Sequence, residues 1–267
     1  MINKLHLGDA RSILDGMPDN TVDLTVTSPP YDDIRSYNGA DWNFTTFQAI
    51  ASRLVRVTKP GGVIMWNVSD ATIDGSETGT SFRQALHFMD ECGLKLHDTM
   101  LYQNPTGAYP CGYKSTRYTD AFEYVFIFVK GKIKTANLIK DKPNVAVGTG
   151  RYGWRREGDD ELLQKTGKKF KVGEMGYRTN IWRMGNNYPP DNELTRVHPA
   201  RMPIRLAEGH IRTWSNEGDV VLDPFAGIGT TLRAAIALNR QWIGIEINER
   251  YYKIAKQIVD NEMEGRL

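Results

Sequence analysis

Cysteine is nearly missing: Cys92 and Cys111 are the only two in 267 residues, in no C-x-x-C pair and in no zinc-like grouping with histidine. A disulfide framework and the common thiolate zinc sites are therefore excluded, and both thiols are expected to be reduced and structural. No apolar run approaches the roughly 18 to 20 residues of a membrane span. The opening "MINKLHLGDA" lacks a signal-peptide pattern, which points to a cytoplasmic protein with no membrane partner. Internal repeats and low-complexity tracts are also missing.

What is present is an ordinary globular composition, in a chain long enough for one large core with a modest insertion. The net charge is only +2, but it is unevenly spread. Lys130 to Arg183 holds 14 Lys/Arg against 6 Asp/Glu, and the rest of the chain holds 20 against 26. Interleaved with Tyr152, Trp154, Phe170 and Tyr177, that basic segment has the makings of a surface for phosphates and bases; a solvated insertion is the plainer alternative.

Short apolar runs alternate with amphipathic stretches, the pattern of an α/β sheet with crossover helices. "VDLTVTS" reads as a strand entering a proline corner. "TTFQAIASRLVRVTKPGG" reads as a helix ended by Pro60 and a Gly61-Gly62 turn, followed by the strand "VIMWNVSD". "TSFRQALHFMDECG" reads as a helix with Thr80 or Ser81 as N-cap and Gly93 as stop, and "DAFEYVFIFVKGK" as a strand ending at Gly131. Clean periodicity is lost from about 131 to 190. It returns in the helix "PIRLAEGHIRTWS", the strand "DVVLDPFAG", the helix "TTLRAAIALNR", the strand "WIGIEI" and the helix "ERYYKIAKQIVDNEM".

Two stretches carry the chemistry. In "VVLDPFAGIGTTLRAAIALNRQWIGIEIN" an acid ends one strand, glycines fill the turn, and a second acid, Glu246, ends the next strand. Glycines let backbone approach a ligand, the following helix N-terminus offers N–H groups to an anion, and a strand-end acid can accept from ribose hydroxyls. Thr230 and Thr231 stand where a third dinucleotide glycine would be sought, which suits a zwitterionic amino-acid tail better than a pyrophosphate. A tight turn packing a helix on a sheet is the alternative. The other stretch, "TVTSPPYDDIRSYNG", puts Ser28, Pro29, Pro30 and Tyr31 directly after a strand.

Together, "SPPY" and "DPFAGIGTT" resemble the DNA amino-methyltransferases that use S-adenosylmethionine to methylate exocyclic base nitrogens. "LHLGDARSIL", "KPGGVIMWNV" and "HPARMPIRLAEGHI" are similar to further landmarks of that family. The catalytic motif precedes the cofactor motif, as in the circularly permuted beta group. The resemblance implies a Rossmann-like methyltransferase fold: an α/β, mixed but mostly parallel seven-stranded sheet with helices on both faces. Residues 1–130 would be the catalytic half, 131–195 a target-recognition insertion, and 196–267 the cofactor-binding half.

By the same resemblance, Gly227 and Gly229 pass beneath the cofactor and Thr230 and Thr231 hold its methionine carboxylate. Asp223, Pro224, Phe225 and Ala226 line that pocket, and Glu246 holds the ribose. Asp9, next to Ala10, reads the cofactor's adenine; its alternative is an N-cap for the helix "ARSILDGM". Met202 stands where the family often has lysine, and His198 fits a structural role as well as a functional one.

The Ser28 hydroxyl and the Pro29 carbonyl would accept the two N–H bonds of a base amine, freeing its lone pair, while Tyr31 stacks on the flipped-out base. Product is S-adenosylhomocysteine, with no metal and no covalent enzyme intermediate. Serine at the first position favours cytosine N4, with adenine N6 as the alternative. Arg35, Tyr37 and Asn38, together with Arg151, Trp154, Arg155, Arg156, Lys168, Lys169 and Lys171, are the candidates for contacts to double-stranded DNA. A homodimer and a cognate restriction endonuclease are further partners the resemblance allows and the residues do not decide. Two other readings are weighed: a non-catalytic DNA-binding regulator with the same fold, and a methyltransferase acting on RNA or protein, against which the motif order argues.

Overall fold

β2 (Val22–Thr27) is buried at all six positions, although the polar Asp23, Thr25 and Thr27 alternate with the apolar Val22, Leu24 and Val26. Such a strand needs cover on both faces, and the topology supplies it. The computed structural model describes residues 1–31, 42–105, 116–156, 163–185 and 202–265, without the side chains of 154–156 and 163–168. Cys111, Arg35, Tyr37, Asn38 and His198 lie outside the described residues.

In chain order the elements before β2 are β1 (Lys4–Leu7) and α1 (Ala10–Asp15). After it come α2 (Phe44–Val57), β3 (Thr58–Val68), the small hairpin β4 (Thr72–Ile73) and β5 (Ser76–Glu77), α3 (Thr80–Asp90), β6 (Lys95–Gln103) and β7 (Phe122–Val129). Next are β8 (Lys140–Pro143), β9 (Gly150–Arg156), β10 (Leu163–Lys171), β11 (Met175–Tyr177) and β12 (Ile181–Arg183). The chain closes with α4 (Ile204–Trp214), β13 (Val220–Asp223), α5 (Thr230–Ala237), β14 (Gln241–Glu246) and α6 (Glu249–Met263).

The main sheet has the order β1-β14-β13-β2-β3-β7-β6-β12. All its pairings are parallel except those of β7, which is antiparallel to both β3 and β6. The expected mixed, mostly parallel α/β fold is therefore present, with eight strands rather than seven because β12 adds beside β6. From β13 the chain crosses through α5 to β14 on one side, and from β2 through α2 to β3 on the other. Right-handed crossovers running in opposite directions put their helices on opposite faces. Accordingly α1, α2 and α3 contact one another in sequence, and α4, α5 and α6 do the same. Between the α2–α3 layer and the sheet lies an aromatic core of Phe47, Trp66, Phe88 and Phe128.

Two local expectations need correction. β3 begins at Thr58, so Pro60, Gly61 and Gly62 lie within the strand rather than in a turn before it. A register shift beside β2 and a positive φ of 81° at Gly61 absorb the irregularity, and backbone bonds from Gly61 and to Gly62 tie it to Lys130. The N-cap of α3 is neither Thr80 nor Ser81 but Gly79, in the left-handed region with no side-chain cap. Asp70, from the loop after β3, supplies the missing acceptor: it takes the Ser81 N–H at 2.9 Å. A cap brought in from eleven residues upstream has no local signature.

The described chain forms two compact units, one of 1–137 with 180–265 and one of Leu138–Thr179. The second consists of two antiparallel pairs, β9 with β10 and β8 with β11. No helix among the described residues is long and apolar enough to cross a membrane.

Gly209 sits in the middle of α4, where glycine ordinarily costs about 1 kcal/mol relative to alanine. A Cβ there would lie 2.5 Å from the buried Trp182 ring, which also stacks on His210 with centroids 4.6 Å apart. A buried indole already stacked on His210 has little room to yield, so overpacking at about 1–3 kcal/mol outweighs the propensity gain. Gly209→Ala is expected to lower the melting temperature by roughly 2–8 °C, read by calorimetry; an unchanged or raised value would show that Trp182 moves freely.

Candidate functional site

Parallel sheets gather functional groups at the carboxyl ends of their strands, at the point where successive connections diverge. Here that point is between β13 and β2. Ser28 follows β2, Asp223 ends β13, Glu246 ends β14, and Asp9 follows β1, whose Leu7 pairs with Glu246. Motifs almost two hundred residues apart in the chain thus meet on one rim.

The proline corner is held by a polar cluster. Ser28 Oγ lies 2.8 Å from the Tyr31 hydroxyl, which donates to Glu123 Oε2 at 2.7 Å and accepts from Asn67 Nδ2 at 2.7 Å. Asn67 Nδ2 also donates to Glu123 Oε2 and lies 3.5 Å from Ser28 Oγ. Asn67 is buried near the end of β3, and its Oδ1 has no hydrogen-bond partner among the described residues. Pro29 is buried, while Ser28, Pro30 and Tyr31 are partly exposed. Tyr31, expected as a stacking platform, takes part through its hydroxyl in this hydrogen-bonded cluster.

Asp223 is buried, accepting from Thr27 Oγ1 at 2.7 Å and from the Phe225 N–H at 3.1 Å. Burial pushes its carboxyl above the usual range, opposed by hydrogen bonds from Thr27, Thr231 and the Phe225 N–H. Thr231 is itself buried, its hydroxyl engaged with Asp223 and 3.4 Å from the Val26 carbonyl. Thr230 is the more accessible of the two threonines. Pro224 and Ala226 are buried, and Phe225 meets Trp42 edge-on at 5.3 Å.

Gly227 and Gly229 both have positive φ, 54° and 86°. Gly229 is the N-cap of α5, which has no side-chain cap, and a Cβ there would meet Ala255 at 3.3 Å. Its glycine is thus explained by backbone conformation and the close packing of α6. The Gly227 N–H donates to Glu246 Oε2 at 2.8 Å, and the Asn248 N–H donates to Oε1 at 2.8 Å. Burial raises the Glu246 carboxyl to about 7; those two N–H groups pull it down and the Asp223 charge pushes it up.

Asp9 is the N-cap of α1, accepting from the Arg11 N–H at 2.7 Å and pairing with the Arg11 guanidinium at 2.6 Å. Hydrogen bonding from Arg11 holds its carboxyl below the usual range, ahead of an opposing effect of burial. Ala10, the first residue of α1, is buried. The capping alternative is therefore the geometry seen.

In the smaller unit, Tyr152 pairs with Lys169, Arg151 with Phe170, and Gly150 with Lys171. Strand alternation puts Tyr152, Lys169 and Lys171 on one face and Arg151 and Phe170 on the other. All five side chains are exposed, and Lys169 Nζ lies 6.0 Å above the Tyr152 ring. Trp154, Arg155 and Arg156 continue β9 and Lys168 lies in β10, with side chains outside the described residues. No metal-binding group of His, Cys, Asp or Glu occurs among the described residues.

Asn67 and Glu123 are the site residues that sequence reasoning missed. The signal was there: an amide inside "VIMWNV" and a charge inside "AFEYVFIFV" are polar breaks in strands that otherwise bury both faces. β7 runs antiparallel to β3, with Tyr124 opposite Val68. Its beginning therefore reaches the rim that the other strands reach with their ends.

Comparison with known proteins follows the same outline. A family profile described as DNA methylase, covering N6 and N4 methyltransferases, matches residues 22–257. The orphan methyltransferase M.BamHII of Bacillus amyloliquefaciens is 46% identical over 258 residues, spanning 93% of this chain and 94% of its own. The solved PvuII DNA methyltransferase, cytosine-N4-specific, superposes with a TM-score of 0.70 at 19% identity, covering 99% of this chain and 94% of that one. A DNA modification methylase of Thermus thermophilus, solved with S-adenosyl-L-methionine and named as putative, gives a TM-score of 0.62 at 22% identity, over 98% and 96% of the two chains. The chain thus belongs to the N6/N4 DNA methylase family and is a DNA methyltransferase.

Proposed function

We propose that this DNA methyltransferase transfers a methyl group from S-adenosylmethionine to cytosine N4 of a flipped-out base in double-stranded DNA. The observation that carries the reading is the convergence of Ser28, Asp223 and Glu246 on neighbouring carboxyl ends of β2, β13 and β14. The donor set suits the cofactor. The α5 N-terminus, without a side-chain cap, offers N–H groups to a carboxylate, and Thr230 adds a hydroxyl. Glu246 keeps lone pairs for ribose hydroxyls, and Phe225, Pro224 and Ala226 give the site an apolar wall. Asp9 would have to share its carboxylate between Arg11 and the adenine amine. The bound cofactor supplies a methyl group activated on a sulfonium.

Toward the base, the chain's own task is to localise a lone pair that is otherwise delocalised into the ring. Ser28 Oγ and the Pro29 carbonyl accept the two amine hydrogens, and the proline ring keeps a competing N–H out of that space. Arg35, Tyr37 and Asn38 would lie beside the base; Arg151, Lys169 and Lys171, continued by Trp154, Arg155, Arg156 and Lys168, would contact DNA in a target-recognition segment within 131–195. A homodimer and a cognate restriction endonuclease belong to the same reading. Incubation with duplex DNA and S-adenosylmethionine, followed by nucleoside mass spectrometry, is expected to yield N4-methylcytosine. N6-methyladenine alone would move the assignment to the other amine, and absence of any methylated base would overturn it.

A further inference from the structure

We infer that Glu123 is a positioning residue for methyl transfer, acting through Tyr31 to make the Ser28 hydroxyl a hydrogen-bond acceptor toward the base amine. The inference rests on the reading of Ser28 given above. A serine hydroxyl is ambivalent: it donates one hydrogen and accepts through two lone pairs. Toward an amine about to act as nucleophile the two modes have opposite effects. Accepting an N–H helps to free the nitrogen lone pair, whereas donating to that lone pair occupies the electrons that must form the new bond. Ser28 alone does not determine which mode prevails.

The cluster does determine it. Glu123, as a carboxylate, can only accept, and the single hydrogen of the Tyr31 hydroxyl goes to its Oε2 at 2.7 Å. Tyr31 Oη, having given away its hydrogen, meets Ser28 Oγ at 2.8 Å as an acceptor, so the hydrogen in that contact comes from Ser28. Asn67 Nδ2 donates to Tyr31 Oη at 2.7 Å and to Glu123 Oε2, reinforcing the same direction from a buried position. The Ser28 hydrogen is thereby turned inward and its lone pairs are left for the substrate. Polarity runs one way, from amine to Ser28 to Tyr31 to Glu123.

The placement of Glu123 favours this role over a purely structural one. Its strand continues as Val125 to Val129, all buried and apolar, so the carboxylate stands where the core gives way to the rim. Strand pairing puts Tyr102 of β6 opposite it, and burial together with the Glu123 charge raises that phenol to about 12. Tyr102 is therefore a neutral phenol at ordinary pH and sets no second negative charge beside the carboxylate.

Glu123→Gln is the discriminating change, because it keeps shape while presenting an N–H that can donate to Tyr31. The Tyr31 hydrogen would then turn toward Ser28, and the Ser28 hydrogen toward the amine. The expected result is a kcat lowered roughly 10- to 100-fold, with DNA KM and S-adenosylmethionine affinity, read by calorimetric titration, within about twofold of the parent. Tyr31→Phe cuts the same chain, so Glu123→Gln added to it is expected to cost little more. Undiminished kcat in Glu123→Gln, equal loss of cofactor affinity and turnover, or full additivity with Tyr31→Phe would each overturn the inference. Failure of the parent protein to methylate DNA would instead overturn the reading of Ser28 on which it stands.

Discussion

Replacing Ser28 with alanine is expected to reduce the rate of methyl transfer by about 10²-fold while leaving S-adenosylmethionine affinity unchanged within about twofold, since one preorganised polar group aimed at a transition state is worth about that much. The split follows from where the side chain points its bonds. Ser28 Oγ is tied to Tyr31 and lies near Asn67, whereas Asp223 is bonded to Thr27 and Phe225, and Glu246 to Gly227 and Asn248. Removing one hydroxyl from the first set should therefore spare the second. The Pro29 carbonyl, a backbone group, survives the substitution and accounts for residual turnover. Single-turnover transfer to duplex DNA, paired with calorimetric titration of the cofactor, measures both quantities. Parallel loss of rate and affinity would place Ser28 in the cofactor site and not at the amine.

Much of this arrangement was legible before any coordinates. The strand "VDLTVT", the acid-ended strands "VVLD" and "WIGIE", and the helices between them follow from β-prone and amphipathic segments punctuated by glycine and proline. Motif spelling then supplied the family. What stayed hidden depended on pairs distant in the chain. The α3 cap comes from Asp70; Glu123 reaches Tyr31 across 92 residues because β7 runs against its neighbours; and Thr27 reaches Asp223 across 196. The four strands of the smaller unit escaped because their polar and basic residues leave no period-two signal, as in β8, which is exposed at all four positions. Gly229 was read as making room for a ligand, and its Cβ direction is filled by α6. Sequence pattern reports that a turn needs glycine; only packing reports what the glycine makes room for.

The same site yields a pH dependence with a definite sign. Burial lifts Glu246 from an ordinary 4.5 to about 7, so between those values the folded chain holds a proton that the unfolded chain has released. Stability therefore falls as pH rises through that window, and the whole penalty, on the order of 3 kcal/mol, is in force above about 7. A ribose diol bound to Glu246 would donate to the ionised carboxylate and draw its proton off. Cofactor binding then favours the ionised form, and affinity is expected to rise about 10-fold from about pH 6 to about pH 8, with net proton release at the lower value. Titration calorimetry in two buffers of different ionisation enthalpy reads affinity and proton count together. Glu246→Gln subtracts the ligand's own titration: it is expected to bind more weakly and to lose the component of the pH dependence that belongs to the protein. The Gln variant cannot reproduce the parent even at low pH, because Gly227 and Asn248 require an acceptor on each oxygen and an amide offers only one. If the parent and the variant share one pH profile, the ribose is held by some other group, and the raised Glu246 carboxyl serves only to tie the glycine turn to the end of β14.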